Sequence, residues 1–318
     1  MQNQSEINVR AENAQKLSES FTEQITSTQN EKSILTGFAN LDQILHRGLH
    51  PNLIILGGGT GSGKSSFILQ IADNIAKSGQ DVLLFSLEMA VSELFSKSLS
   101  RITYELDPDH ALTAAEIMYD YSIWEEDPEL RMNFLEAKEI YFKKILPHIF
   151  IYEAFNFLMM NQIRGEICSH IDKYGKTPVI IIDYIQMLRG SVPGSTDKQS
   201  MDEVIYGLEQ LRREFKTPVI GLSSLNRESY SAKAKGANIR TDSFKESGSI
   251  EYTAEILLGF NQEKSIPAQG IRKINLEVLK GRFMPAGCCL YYDFHPAYGY
   301  FEESRTQTQI NTRKKDNM

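Results

Sequence analysis

The run Gly58-Gly59-Thr60-Gly61-Ser62-Gly63-Lys64-Ser65 constrains this chain more than any other part of its sequence. It fits the spacing G-x-x-x-x-G-K-[ST]. Glycines at these positions let successive backbone N–H groups turn inward around a polyphosphate, and the helix that follows adds its positive N-terminal end. The flanks agree. Leu53–Leu56 is an apolar run before the glycines, and Ser65–Lys77 carries Phe67, Ile68, Ile71 and Ile75 on one helical face after them. The implied ligand is a nucleoside triphosphate, ATP, with Mg²⁺. Gly58, Gly59, Thr60, Gly61, Ser62, Gly63, Lys64, Ser65 and Ser66 would surround the phosphates. Lys64 would reach the β and γ phosphates, and the Ser65 hydroxyl would hold the metal.

A strand, a glycine loop and a helix also open a parallel α/β fold. The rest of the chain continues that pattern. Strands are expected at Asp81–Leu87, Ile149–Tyr152, Val179–Asp183 and Val219–Leu222. Helices are expected through the acidic stretch Val91–Leu146, at Met160–Tyr174, and at Gln199–Phe215 with Val204, Ile205, Leu208, Leu211 and Phe215 buried. Strands that are apolar throughout, rather than alternating, belong to a mostly parallel central sheet with helices on both faces. Ile256–Phe260, Ile274–Leu279, Leu290–Asp293 and Tyr300–Phe301 then follow with little helix between them, which predicts a late antiparallel extension. Residues 31–303 read as one domain, between a polar tail or linker at 1–30 and a polar tail at 304–318.

Composition excludes some classes. With 41% hydrophobic and 24% charged residues, the 318-residue chain has ordinary globular usage. No apolar run is long enough to cross a bilayer, so a cytoplasmic protein without a membrane partner is expected. The net charge of −7 argues against a surface coated in nucleic acid, but leaves room for a local basic lining. Cys168, Cys288 and Cys289 have no metal-ligand or disulfide spacing. His46 and His50, four apart, flank Gly48 and belong to a turn rather than to a zinc site.

Further side chains complete a phosphate chemistry. Val179-Ile-Ile-Ile-Asp183 delivers a carboxylate at the C-terminal end of a buried strand, where Asp183 would hold Mg²⁺. Glu88, in Phe85-Ser86-Leu87-Glu88-Met89, is the candidate base that orients the attacking water. The segment 226–240 sets Arg227, Lys233, Lys235 and Arg240 against a single acid, Glu228, and could follow a phosphate backbone. The segment 189–200, with Arg189 and Lys198, is a second candidate for DNA contact. Lys280-Gly281-Arg282 places two cations at a late strand end, where they could serve a neighbouring subunit's γ-phosphate.

Taken together, these segments resemble the C-terminal ATPase domain of DnaB-type replicative helicases, over about residues 34–303. Thr36-Gly37-Phe38 with Leu41-Asp42 is similar to that family's opening motif, 85–89 to its catalytic-glutamate segment, and 182–188 to its Walker B signature. Leu222–Arg227 and Lys245–Glu251 resemble two more of its motifs, and the latter argues against a recombinase-like or circadian-type ATPase. The resemblance implies a RecA-like P-loop NTPase core and a homohexameric ring that hydrolyses ATP to move along single-stranded DNA. It also implies that Lys280 and Arg282 point into the next subunit's site, that 189–200 and 226–240 are channel loops, and that a loader or primase is a partner.

There are two departures. Ser224 stands where the family carries a Gln that links the γ-phosphate to the DNA loop, so Ser224 marks the coupling position. Only about thirty polar residues precede the core, so the family's helical N-terminal collar is expected to be missing. These departures keep open a second reading: an ATP-dependent DNA-binding switch or loader that does not unwind DNA.

Overall fold

The computed structural model describes residues 33–154, 156–190, 196–225, 239–244, 247–262 and 270–304. The expected tails therefore lie outside the described residues, Ser304 aside, as do Arg227, Lys233, Lys235 and the first two residues of the 245–251 motif.

The short helix α1 (Ala39–Ile44) leads into strand β1 (Leu53–Gly58), the glycine loop and helix α2 (Lys64–Lys77). Strand β2 (Val82–Ser86) follows, then helices α3 (Val91–Leu106), α4 (Ala114–Tyr119), α5 (Tyr121–Glu126) and α6 (Pro128–Ile140). Next come β3 (Ile149–Glu153), β4 (Leu158–Met159), α7 (Met160–Tyr174), β5 (Val179–Asp183), β6 (Leu188–Arg189), α8 (Asp197–Phe215) and β7 (Val219–Ser224). The short helix α9 (Ser247–Thr253) precedes β8 (Ile256–Gln262), β9 (Arg272–Gly281), β10 (Cys289–His295) and β11 (Tyr300–Glu303).

One sheet holds the strands in the order β11-β10-β9-β8-β1-β7-β5-β2-β3. Pairing is parallel from β8 through β3 and antiparallel from β8 through β11. The antiparallel extension is therefore present but begins one strand later than expected. Ile256–Gln262 lies parallel to β1 and belongs to the core. A sequence cannot show this, because strand direction depends on which neighbour a strand meets.

Alternate residues of each central strand serve two cores. Ile54, Leu56, Leu84 and Ile181 face α2, packing with Phe67, Ile68, Ile71 and Ile75. Leu53, Ile55, Leu83, Phe85, Ile180 and Ile182 face α7 and α8, packing with Ile163, Ile167, Val204, Ile205, Leu208 and Leu211. With both faces covered, every position must be apolar, which is why these strands read as unbroken hydrophobic runs. The two-stranded pair β4–β6 stands apart from the main sheet. Segments of two residues carry no periodicity, so it was not legible beforehand.

The opening motif serves packing. The Asp42 carboxylate accepts from both the Thr36 N–H and its hydroxyl, each at 2.8 Å. Phe38 stacks on Phe67 at 5.0 Å between ring centroids. This clasp seats the entering chain on α2 and leaves no titratable group of the motif at the glycine loop.

Candidate active site

The glycine loop joins the C-terminal end of β1 to α2 in a tight turn. Gly63 caps the helix at φ 97°. A Cβ there would lie 2.9 Å from Phe294 and 3.0 Å from Phe301. The position thus requires glycine for its backbone and for its neighbours. The Ser62 hydroxyl donates to the Gly59 carbonyl at 2.7 Å and pins the loop. Lys64 Nζ donates to the carbonyls of Gly58 and Gly59 at 2.8 and 2.9 Å.

Topology gathers the other groups around this loop. Strand β7 separates β1 from β5, and β2 lies beyond β5. Ser86 pairs with Asp183 across β2 and β5, and the Leu87 N–H donates to the Asp183 carbonyl at 2.8 Å. Glu88 therefore emerges immediately beside Asp183. One cavity of about 450 Å³ is lined by Thr60–Ser66, Glu88, Met89, Lys97, Asp183, Tyr184, Ser223, Ser224, Arg272, Phe294 and Pro296. It lies at the carboxyl ends of the parallel strands, the usual ligand crevice of open α/β sheets.

Its electrostatics suit a polyanion with a cation. Burial pushes the Asp183 carboxyl up to about 6, and Glu88 adds to the rise. The Ser65 hydroxyl bonded to Asp183 and the ammoniums of Lys64 and Lys97 pull the other way. Burial likewise lowers the Lys64 pKa, against the attraction of Asp183 and Glu88. Charges held in a partly desolvated crevice gain when phosphate oxygens and a metal arrive to meet them. The adjoining hydroxyl of Ser65 and carboxylate of Asp183 form the hard-oxygen pair that fits Mg²⁺.

Sequence reasoning missed Lys97, Arg272 and Phe294. Arg272 Nη1 donates to the Gly61 carbonyl at 3.0 Å, and Phe294 packs against Gly63. Both come from antiparallel strands more than two hundred residues downstream of the loop. Only the β1–β8–β9–β10 order brings them to it, and no local signal announces them.

Lys280 and Arg282 lie at the other end of the sheet. Lys280 pairs with Leu257 and Gly281 with Ile256, level with the start of β1 rather than with the glycine loop at its end. Lys280 Nζ donates to the Glu251 carbonyl at 2.6 Å, and Arg282 meets the Glu255 carboxylate at 3.1 Å. Neither lines the cavity of its own chain.

The described basic candidates differ in their freedom. Arg189 lies 3.6 Å over the Phe157 ring and donates to the carbonyls of Gln186 and Leu188 at 3.0 and 2.9 Å. Lys198, in the first turn of α8, is exposed, and so is Arg240, which is 3.9 Å from Asp242.

The model of the DnaB-like helicase C terminal domain matches residues 33–303. The chain belongs to this family. It is 29% identical over 229 residues to the replicative DNA helicase DnaB of Pasteurella multocida, covering 71% of this chain and 45% of that protein. It is 28% identical over 261 residues to the replicative DNA helicase DnaC of Bacillus subtilis, covering 80% of this chain and 53% of the relative. The chain thus spans about half the length of the curated relatives it matches. A solved structure of an ATPase domain superposes with a TM-score of 0.77 at 21% identity, over 93% of this chain and 100% of that one. A DnaB-like replicative helicase, solved in a study of its interactions with primase, gives 0.75 at 21% identity, over 92% and 67%. These structures establish a RecA-like fold for this family member.

Proposed function

We propose that this chain is the ATP-driven motor of a replicative DNA helicase, with residues 31–303 as the motor domain, working in the cytoplasm on single-stranded DNA as a homohexameric ring. The observation that carries this reading is the convergence of Lys64, Ser65, Asp183 and Glu88 on one cavity of a DnaB-family domain. A motor needs a triphosphate cradle, a metal pair and a base in mutual reach, and these four supply all three.

In this mechanism the loop amides of Gly59–Ser66 and the Lys64 ammonium bind the phosphates. Lys64 exchanges its two carbonyl acceptors for phosphate oxygens. Ser65 and Asp183 would hold Mg²⁺, which neutralises charge on the phosphates when bound. Glu88 orients a water and takes its proton as the water oxygen bonds the γ-phosphorus and the bond from that phosphorus to the ADP oxygen breaks, so that ADP and inorganic phosphate leave. Arg272, held on the Gly61 carbonyl, and Phe294, packed against Gly63, line the crevice beside the glycine loop, where Arg272 offers a further cation to the nucleotide.

Arg282 and Lys280 complete the site of the neighbouring subunit. Their place at the opposite end of the sheet from their own glycine loop supports action between subunits. Arg189, Lys198 and Arg240, with Arg227, Lys233 and Lys235, are proposed to contact the DNA backbone. Ser224 is the proposed coupling position, and a primase or loader the proposed accessory partner. Membership of the helicase family disfavours a switch or loader that leaves DNA unopened. ATP turnover measured with and without single-stranded DNA tests the reading. Stimulation is expected, and turnover indifferent to DNA would overturn it.

A further inference from the structure

We infer that Glu255 is a positioning residue for the reaction, presenting the Arg282 guanidinium to the neighbouring subunit's nucleotide. The inference rests on the proposed action of Arg282 between subunits, and not on movement along DNA.

Glu255 stands between α9 and β8, against the first residue of β1. Its N–H donates to the Leu53 carbonyl at 3.1 Å, and its Oε2 accepts from the Leu53 N–H at 3.0 Å. Arg212 of α8 brings its Nε to 3.3 Å from the same oxygen. The buried carboxylate is thus fixed from two sides. Its other oxygen, Oε1, accepts from Arg282 Nη1 at 3.1 Å, and the Glu255 carbonyl accepts from the Arg282 N–H at 3.2 Å. One residue therefore holds Arg282 by backbone and by side chain. The flanks of Arg282 are tied as well. Lys280 Nζ donates to the Glu251 carbonyl and His46 Nε2 to the Phe283 carbonyl, each at 2.6 Å.

This anchorage faces the arginine outward. Glu255 is buried, whereas the Arg282 side chain is 63% exposed. A guanidinium carries five N–H donors in a planar fork. Among the described residues one side-chain hydrogen bond engages it, to Glu255, so donors remain for a second anion. Its charge survives too. Arg212 is shared between Glu209 and Glu255, and Glu209 also meets Arg213. Three guanidiniums against two carboxylates leave the network positive, so Glu255 orients Arg282 without neutralising it. An exposed arginine that nothing holds must lose its rotamer freedom when it meets a phosphate. Bonding to a fixed carboxylate removes part of that cost beforehand. The anchor, Leu53, opens the strand whose other end leads into the glycine loop. A subunit's own phosphate cradle and the arginine it lends are therefore mounted at opposite ends of β1.

The test measures ATP turnover by wild type, Glu255→Gln, Glu255→Asp, Arg282→Ala and the double variant of Glu255→Gln with Arg282→Ala. Glutamine keeps the size of the side chain and removes its charge. Aspartate keeps the charge and withdraws it from Arg282 by one methylene. Each Glu255 variant should lower kcat about tenfold or more with KM for ATP within about twofold, as when a group that acts only in the transition state is misplaced. The double variant should be no slower than Arg282→Ala alone, because Glu255 acts through Arg282. In mixed rings, Lys64→Ala subunits bring an intact Glu255–Arg282 pair and should restore part of the turnover of Glu255→Gln, which repair of a merely structural defect would not do. Wild-type kcat in both Glu255 variants, a double variant slower than Arg282→Ala, no recovery in verified mixed rings, or failure of both Glu255 variants to fold would each overturn the inference. An inactive Arg282→Ala beside active Glu255 variants would remove this inference alone, and a fully active Arg282→Ala would remove the action between subunits with it. Turnover without DNA stimulation would refute the motor reading and leave this one standing.

Discussion

The ammonium of Lys64 lies 2.8 Å from the carbonyl of Gly58 and 2.9 Å from that of Gly59, folded back onto the loop it belongs to. The two carbonyls occupy the cation until a stronger acceptor arrives. Burial already disfavours its charge, so anionic phosphates offer more than the carbonyls do. Lys64→Ala should therefore abolish ATP turnover and leave the fold intact, with an unfolding midpoint within a few degrees of wild type. Radiometric phosphate release and thermal unfolding check the two halves, and normal turnover in the variant would refute the site.

Glu88→Gln keeps the shape of the side chain and removes its capacity to take a proton. Turnover should fall roughly a hundredfold or more while ATP binding persists. Single-turnover hydrolysis against binding of a fluorescent analogue separates these steps. Hydrolysis at the wild-type rate would place the base on another residue.

Ser224 pairs with Gly58 and lines the cavity, so a longer amide there would stand at the phosphate edge. Ser224→Gln should raise the ratio of DNA-stimulated to basal turnover, about twofold or more on the scale of one added hydrogen bond. A steady-state assay with and without single-stranded DNA reads the ratio. A ratio at or below the wild-type value would show that coupling runs by another route.

Gly63→Ala adds a methyl group at φ 97°, against Phe294 and Phe301. Left-handed strain and overpacking together should cost about 2–4 kcal/mol. Calorimetry should show a midpoint several degrees lower, with nucleotide affinity lost alongside it. An unchanged midpoint would mean that the loop relaxes without reference to the aromatic pair.

Arg282 meets Glu255 on its own chain and lies away from its own cavity. If it serves the next subunit, an Arg282→Ala subunit keeps a sound glycine loop, and a Lys64→Ala subunit keeps a sound arginine. Each variant alone should be nearly inactive. Mixed rings, verified by size and by differential tagging, should recover part of the wild-type turnover at interfaces that pair the two intact halves. Activity that stays at the single-variant level in verified mixed rings would exclude a shared site.

Residues 58–65 were legible in the sequence because a phosphate cradle needs contiguous backbone amides, and contiguity is what a sequence displays. Asp183 and Glu88 were legible because the first ends an apolar strand and the second follows one by two residues, and strand ends define the crevice of a parallel sheet. The doubly covered strands announced themselves by lacking alternation. The tertiary structure alone decided which distant side chains meet. Arg272 reaches the loop through an antiparallel strand, Lys280 and Arg282 stand at the far end of the sheet from their own cavity, and Gln186 bridges to Ser223 where the β5–β7 ladder stops. Each of these depends on strand order and register. Those are set by how all the apolar faces pack at once, and no local run of residues encodes that.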